Sequence, residues 1–162
     1  MRKIKLTLNP KSIDNAIREL EQYKRELKQR VNELVEALTD YGVEIAKVQI
    51  REFDAVYTGE LESSIVGYFS PTWGVGIIKA GAPYAVYVEF GTGVVGKDFP
   101  HPEPDGWKYD VNNHGEAGWW YFNDRDGKWH WTTGMESRPF MYHTARILEQ
   151  ECSRIAKEVF GK

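Results

Sequence analysis

Apolar side chains recur every three or four residues through the first third of the chain, and this spacing predicts one long α-helix. Asn9 and Pro10 are a suitable N-cap and first helical residue, and the pattern continues to about Phe53, a length of about 65 Å. Steps of three and four keep a single stripe on one side of a helix. The stripe consists of Ile13, Ile17, Leu20, Tyr23, Leu27, Val31, Leu34, Leu38, Tyr41, Ile45 and Val48.

A helix of this length exceeds the width of a 162-residue domain. We expect it either to kink near Gly42 or to project and pack on another subunit. The second half is expected to fold over the chain's own sheet. The first half is the candidate subunit interface, with Ile13, Ile17, Leu20 and Leu27 as its contact residues.

Alternating apolar positions predict short strands. Ile4, Leu6 and Leu8 indicate one at the N-terminus. Residues 64–70 and 75–80 form a predicted β-hairpin around a turn that contains proline and glycine. Residues 84–90 are a third candidate strand, with a short helix as the alternative.

The C-terminal residues again show helical spacing. Ser137 and Pro139 are suited to open a helix, and Gly161 is suited to end it. The apolar face consists of Met141, Ala145, Leu148, Cys152, Ile155 and Val159.

Residues 94–134 differ from the rest in composition. They contain three of the seven prolines and five of the six tryptophans. A polar loop ending in Gly127 separates two aromatic runs, which predicts a second hairpin. Large aromatic rings dominate binding surfaces, so the hairpin is a candidate subunit or partner contact; a small core beneath a long loop and a carbohydrate contact are the alternatives. The candidate contact residues are Trp119, Trp120, Trp129 and Trp131.

Composition indicates one domain, residues 1–162, with 94–134 as an insertion. The net charge is −3, and residues 85–137 carry nine acidic and four basic side chains, which disfavours sequence-specific nucleic-acid binding. One cysteine excludes an internal disulfide, and no apolar run is long enough to span a membrane.

Three short motifs occur in a fixed order along the chain. Together they resemble the Hong Kong 97-type, gene-product-ten-like tail-component family of tailed bacteriophages with long non-contractile tails (siphophages). The resemblance covers residues 58–146 together with the long helix that precedes them. The matching residues are Thr58, Gly59, Leu61, Ser64, Ile65, Tyr84, Ala85, Glu89, Phe90, Gly91, Thr92, Arg138, Pro139 and Phe140.

The resemblance implies a structural virion protein rather than an enzyme, acting in tail completion and head–tail joining at the neck. Such proteins form a ring, with six copies as the implied number, at the head-proximal end of the tail. The implied partners are further copies, tail-tube proteins and head-connector proteins, with assembly in the cytoplasm of the bacterial host, from a phage or a prophage. A head-side stopper or minor capsid protein is an alternative.

The residues themselves offer little for catalysis. The four histidines fit no zinc spacing, and Asp124–Gly127 is explained better as a hairpin turn than as a calcium loop. Neither a nucleotide-binding glycine loop nor a serine nucleophile motif is present in the sequence. We therefore expect no catalytic residues, no metal and no cofactor.

Glu89 is the one charge in an otherwise apolar segment. A buried carboxylate needs hydrogen-bond partners, because leaving it unpaired costs several kcal/mol. We predict that it accepts hydrogen bonds from nearby main-chain N–H groups or pairs with an arginine, with Arg138 as the first candidate. Either contact would bring the second and third motifs together.

The predicted fold class is α+β. A long N-terminal helix and a C-terminal helix pack on an antiparallel sheet of about four strands, and an aromatic-rich β-hairpin is inserted late in the chain.

Overall fold

A computed structural model describes Thr7 and residues 9–161, and it confirms the α+β class with a long N-terminal and a C-terminal helix. The predicted strand at Ile4, Leu6 and Leu8 lies outside the described residues. In chain order the elements are α1 (Pro10–Glu52), α2 (Glu60–Ser63), β1 (Ile65–Ser70), β2 (Val75–Ala80), α3 (Ala85–Phe90), α4 (Gly93–Asp98), β3 (Trp119–Asn123), β4 (Lys128–Thr132), β5 (Gly134–Met135) and α5 (Phe140–Phe160).

Helix α1 begins as the sequence predicts. The side chain of Asn9 accepts a hydrogen bond from the main-chain N–H of Ser12 at 2.9 Å, and Pro10 occupies the first helical position. The helix continues without interruption through Gly42. At Gly42 a side chain would collide with Ile78 of β2 and with Leu148 of α5. The glycine therefore marks a close approach of three elements, and the helix is not broken there.

The C-terminal helix α5 packs antiparallel against the second half of α1. Near its start, the ring of His143 lies 5.1 Å from that of Phe53, and near its end the carbonyl of Val159 accepts a hydrogen bond from Arg30 at 2.7 Å. The hairpin β1–β2 packs on the same half of α1. This confirms that the second half of the helix covers the chain's own sheet, and it leaves residues 10–31, here called the arm, beyond the end of α5.

Strands β1 to β4 form two separate two-stranded antiparallel sheets, so the described residues contain the predicted hairpin and the inserted hairpin but no sheet of four strands. The β1–β2 pair runs from Ile65 opposite Ala80 to Ser70 opposite Val75. Residues 84–90 are not a strand: the alternative of a short helix is correct, and α3 occupies this position. Its buried side chains, Ala85, Val88 and Glu89, recur with helical spacing, because the helix covers the core with one face only.

The core lies where α1, α2, α3 and the start of α5 meet. Ala46, Ile50 and Phe140 are fully buried there. Burying a side chain the size of phenylalanine contributes about 1.5–3 kcal/mol relative to leaving it exposed. This core joins elements from both ends of the chain into one unit. Within the described part of the chain, no helix is both long enough and apolar enough to cross a membrane.

Candidate functional site

The three motifs of the sequence converge on this core. Leu61 from the first, Ala85 and Val88 from the second, and Phe140 from the third belong to one buried cluster, and Tyr84 packs against it. Ile65, at the start of β1, belongs to the same cluster. The motifs therefore form one junction in space, although about eighty residues separate the first from the last.

The first motif shapes the entry into this junction. Gly59 has φ +81°, a left-handed conformation, and ends the loop before α2. The hydroxyl of Thr58 accepts from the N–H of Glu60 at 3.3 Å, and the hydroxyl of Ser64 donates to the carbonyl of Leu61 at 2.7 Å. These bonds close the short helix and point Leu61 into the core.

Glu89 is 7% exposed, and its side chain caps the start of α5. Its Oε2 accepts from the main-chain N–H of Met141, and its Oε1 from that of Tyr142, both at 2.9 Å. These N–H groups lie in the first turn of the helix, where the helix supplies them with no partner. A negative charge is also favoured at a helix N-terminus. The prediction that Glu89 accepts main-chain hydrogen bonds is thus confirmed.

The alternative partner, Arg138, does not pair with Glu89. Its guanidinium donates to the carbonyl of Asp54 at 2.5 Å and lies 3.7 Å from the carboxylate of Glu136. A main-chain hydrogen bond also joins the two motifs, because the N–H of Arg138 donates to the carbonyl of Val88 at 2.9 Å. Helix α5 itself begins after Pro139, which offers no side-chain cap.

Ser137, expected to open α5, serves the junction in another way. Its hydroxyl donates to the carbonyl of Glu89 at 2.5 Å. The capping group of α5 comes from the side chain of Glu89, on α3. Neither local sequence nor helical spacing at residues 137–140 reveals this long-range cap.

His101 is a buried partner of Glu89 that the sequence analysis did not single out. Its Nδ1 accepts from the main-chain N–H of Glu103 at 2.9 Å, so its Nε2 carries the proton that is shared with Oε1 of Glu89 at 3.2 Å. The ring stands 4.4 Å from that of Phe90 and 5.3 Å from that of Tyr142. The residue ties the insertion to both helices.

Gly91, directly after Phe90, allows two segments of the chain to pass close to each other. Gly91 has φ +77° and ψ 168°, a region that residues with side chains avoid. A Cβ there would lie 2.7 Å from the main-chain nitrogen of Ser137. Thr92 pairs with Met135 in an isolated bridge. The carbonyl of Gly91 also accepts the indole N–H of Trp107 at 2.9 Å.

The polar atoms of Glu89 and His101 are all occupied by hydrogen bonds. Both carboxylate oxygens and both ring nitrogens are engaged in the bonds given above, and both side chains are buried. The arrangement holds three chain segments together. Among the described residues, no three histidine, cysteine, aspartate or glutamate side chains are grouped so that they could hold a metal ion.

The inserted hairpin has its aromatic rings on the surface. Trp120 lies opposite Trp131, and Phe122 lies opposite Trp129. Alternation along the strands places these four rings, here called the aromatic face, on one side of the hairpin, with exposures of 48–64%. The interpretation of a small buried core is therefore wrong for this face. Trp119 is half-buried and stacks on His114 at 4.7 Å, on the other side.

The loop of this hairpin is a turn, as predicted. The N–H of Gly127 donates to the carbonyl of Asn123 at 2.9 Å. The side chain of Asp126 accepts from the N–H of Lys128 at 3.1 Å and contacts Nε2 of His130 at 2.8 Å. The hydrogen bond with His130 is the largest cause that lowers the pKa of Asp126 below its ordinary value.

A groove of about 940 Å³ separates this hairpin from the core. It is lined by Tyr57, Tyr84, Arg125 and Arg138 among others. Its arginines are engaged with main-chain carbonyls: Arg125 with that of Tyr57, and Arg138 with that of Asp54. The described residues that line the groove include no serine, cysteine or histidine.

Comparison with protein-family models, with curated proteins and with solved structures finds no match to this chain. The resemblance to the phage tail-component family therefore depends on the residues of the three motifs alone, and it stays a prediction.

Proposed function

We propose that this protein is a structural component of a tailed bacteriophage virion, acting in tail completion and head–tail joining at the neck. The observation that carries the proposal is the junction of the three motifs. Residues matching the family pattern supply core side chains, the cap of α5 and the chain crossing at Gly91. The order of the motifs thus has a physical basis in this fold, because each motif contacts another.

The mechanism of such a component is geometric. It assembles copies into a ring of six at the head-proximal end of the tail and offers surfaces to tail-tube and head-connector proteins. Contiguous exposed apolar surface commonly marks protein–protein contacts. The arm and the aromatic face are such surfaces, and the outer side of the β1–β2 hairpin is a third, with Tyr68 and Ile77 exposed. No reaction is assigned to the chain, and it acts in the virion after assembly in the host cytoplasm.

Two other roles use the same surfaces. A head-side stopper or minor capsid protein would have the same junction and different neighbours. A carbohydrate- or protein-binding module is favoured by one observation, the four exposed rings of the aromatic face, because flat exposed rings bind sugars and peptide side chains.

The test is co-expression of the chain with the tail-tube protein of the phage or prophage that encodes it. We expect a gold-labelled tag on this chain to be seen by electron microscopy at one end of the purified tubes. Trp129→Ser and Trp131→Ser together should reduce this labelling at least tenfold if the aromatic face contacts a neighbour. The matched control is Tyr121→Ser, which removes a ring from the other side of the same hairpin.

Two results would argue for the alternatives. Labelling of isolated head connectors without tubes would favour the stopper. Unlabelled tubes, with a monomeric chain whose tryptophan fluorescence is changed by an oligosaccharide, would favour the binding module and contradict the virion role.

A further inference from the structure

The arm carries an apolar stripe that the described part of the chain leaves largely exposed. Helix α5 covers the downstream part of α1 and ends where the carbonyl of Val159 meets Arg30. Beyond that point the stripe residues are 40–55% exposed, whereas Leu34 and Leu38 are half-buried. The exposed stripe consists of Ile13, Ile17, Leu20, Tyr23, Leu27 and Val31.

Four of the six stripe residues are symmetric about residue 22, whereas Leu20 and Tyr23 have Lys24 and Glu21 at the mirrored positions. Ile13 and Val31 lie at equal distances on either side of it, and so do Ile17 and Leu27. A two-fold axis at this point would bring each of these side chains against its counterpart from an antiparallel second arm. The overlap from Ile13 to Val31 is about 27 Å long at about 1.5 Å per residue.

The charges beside the stripe change sign at the same point. Asp14 and Glu21 lie beside its N-terminal half. In its C-terminal half, Lys28 lies beside the stripe and Lys24 lies within the contact itself. In an antiparallel pair, Asp14 of each arm lies near Lys28 of the other, which gives two attractive contacts against one approach of Glu21 to its counterpart near the axis. Charges beside an apolar seam commonly select the orientation of paired helices.

A parallel pair lacks this match. Lys24 occupies a seam position, so a parallel register would place it against Lys24 of the second copy. Like charges in a desolvated seam are unfavourable. In the antiparallel register Lys24 faces Leu20, and its long aliphatic stem can lie along that side chain while the ammonium group reaches water.

We propose that the arm is a self-association surface, and that two copies pair through residues 10–31 as an antiparallel two-helix coiled coil. This direction is also the one that α5 takes against α1.

The pairing has a consequence for assembly. A two-fold contact uses the same patch on both copies and forms a dimer, whereas a ring requires head-to-tail contacts. Ring contacts would therefore use the aromatic face or the outer side of the β1–β2 hairpin. The pairing does not rest on the virion role, because it is measured on the purified chain.

Cysteine cross-linking tests the orientation and register. Cys152, the single cysteine, is first replaced by serine. Chains carrying Ile17→Cys and chains carrying Leu27→Cys are then co-expressed with different tags and oxidised. We expect a disulfide-linked heterodimer from the mixture and at least tenfold less dimer from Ile17→Cys alone. Two copies of position 17 would be about 15 Å apart in the antiparallel pair, too far for a disulfide.

Charged substitutions test the affinity of the pair. Ile17→Glu with Leu20→Glu should halve the mass found by sedimentation and leave the far-ultraviolet circular dichroism unchanged, because both side chains are about half exposed. Asn15→Glu with Gln22→Glu adds the same charge on the opposite side of the arm and should leave the mass unchanged. Efficient cross-linking of Ile17→Cys to itself would overturn the antiparallel pair. So would a mixture that forms no heterodimer, or a mass that the Ile17/Leu20 variant does not change.

Discussion

The carboxylate of Glu89 caps a helix that begins 51 residues later, at Phe140, and accepts a hydrogen bond from the main-chain N–H of Tyr142 at 2.9 Å. A cap normally comes from the residue just before a helix, and here that residue is Pro139. The cap therefore joins α3 to α5, and it makes one side chain responsible for a contact between the second and third motifs.

Replacing Glu89 should reveal this role as a loss of stability. Glu89→Ala leaves two partly buried N–H groups and the buried His101 without their acceptor, so we expect the free energy of unfolding to fall by about 2–4 kcal/mol. Glu89→Gln keeps one acceptor oxygen and should cost about half as much. Urea denaturation followed by circular dichroism measures both. A loss below about 0.5 kcal/mol for the alanine variant, the range of surface changes, would falsify the cap.

His101 and Glu89 should be energetically coupled. His101→Phe retains a ring in the pocket and leaves the N–H of Glu103 without its acceptor, so we expect a loss of about 1–3 kcal/mol. Because the two residues share a hydrogen bond, the double variant with Glu89→Ala should lose at least about 0.5 kcal/mol less than the two single losses combined. Equilibrium unfolding of all four proteins gives this difference. Strict additivity would show that the contact at 3.2 Å contributes nothing measurable.

The sequence predicted those elements whose pattern is local. Asn9 and Pro10 begin α1 as expected, because capping depends on a few neighbouring residues. The second hairpin also follows from its turn and flanking runs. The strand predicted at residues 84–90 is a helix instead, since its short apolar run fits either period and only the shape of the core decides between them.

The site was also predictable only where the signal is local. The need of Glu89 for hydrogen-bond donors follows from its apolar surroundings, and the structure satisfies it with main-chain N–H groups. Which donors these are depends on how α5 docks, and that is a tertiary contact. The partnership with His101 depends on the path of the insertion, for which neither periodicity nor spacing carries a signal.

Gly91 and Gly59 allow the cost of a side chain at positive φ to be compared with and without a steric collision. Both have positive φ, but a Cβ at Gly59 meets nothing within 4 Å, whereas one at Gly91 lies 2.7 Å from the nitrogen of Ser137 and 2.9 Å from the carbonyl oxygen of Met135. Gly59→Ala should therefore cost about 1–2 kcal/mol, from the left-handed conformation alone. Gly91→Ala should cost more than about 3 kcal/mol, because strain and collision with the main chain combine. Equal losses in thermal and urea unfolding would contradict the close crossing.

The stability of the inserted hairpin should depend on pH through Asp126. Its pKa is lowered chiefly by the hydrogen bond with His130, and also by the N–H of Lys128. A carboxylate with a depressed pKa stabilises the fold above the pKa of the unfolded chain, near 3.8, and this contribution disappears as the pH falls through the lower folded value. The amide resonances of Lys128 and His130 should therefore shift with a midpoint below 3.8. Asp126→Asn should abolish that transition, and Asp124→Asn, in the same loop, should leave it intact. A midpoint at or above 3.8 in the unaltered protein, or an unchanged transition in the Asp126 variant, would show that the His130 contact is not formed in solution.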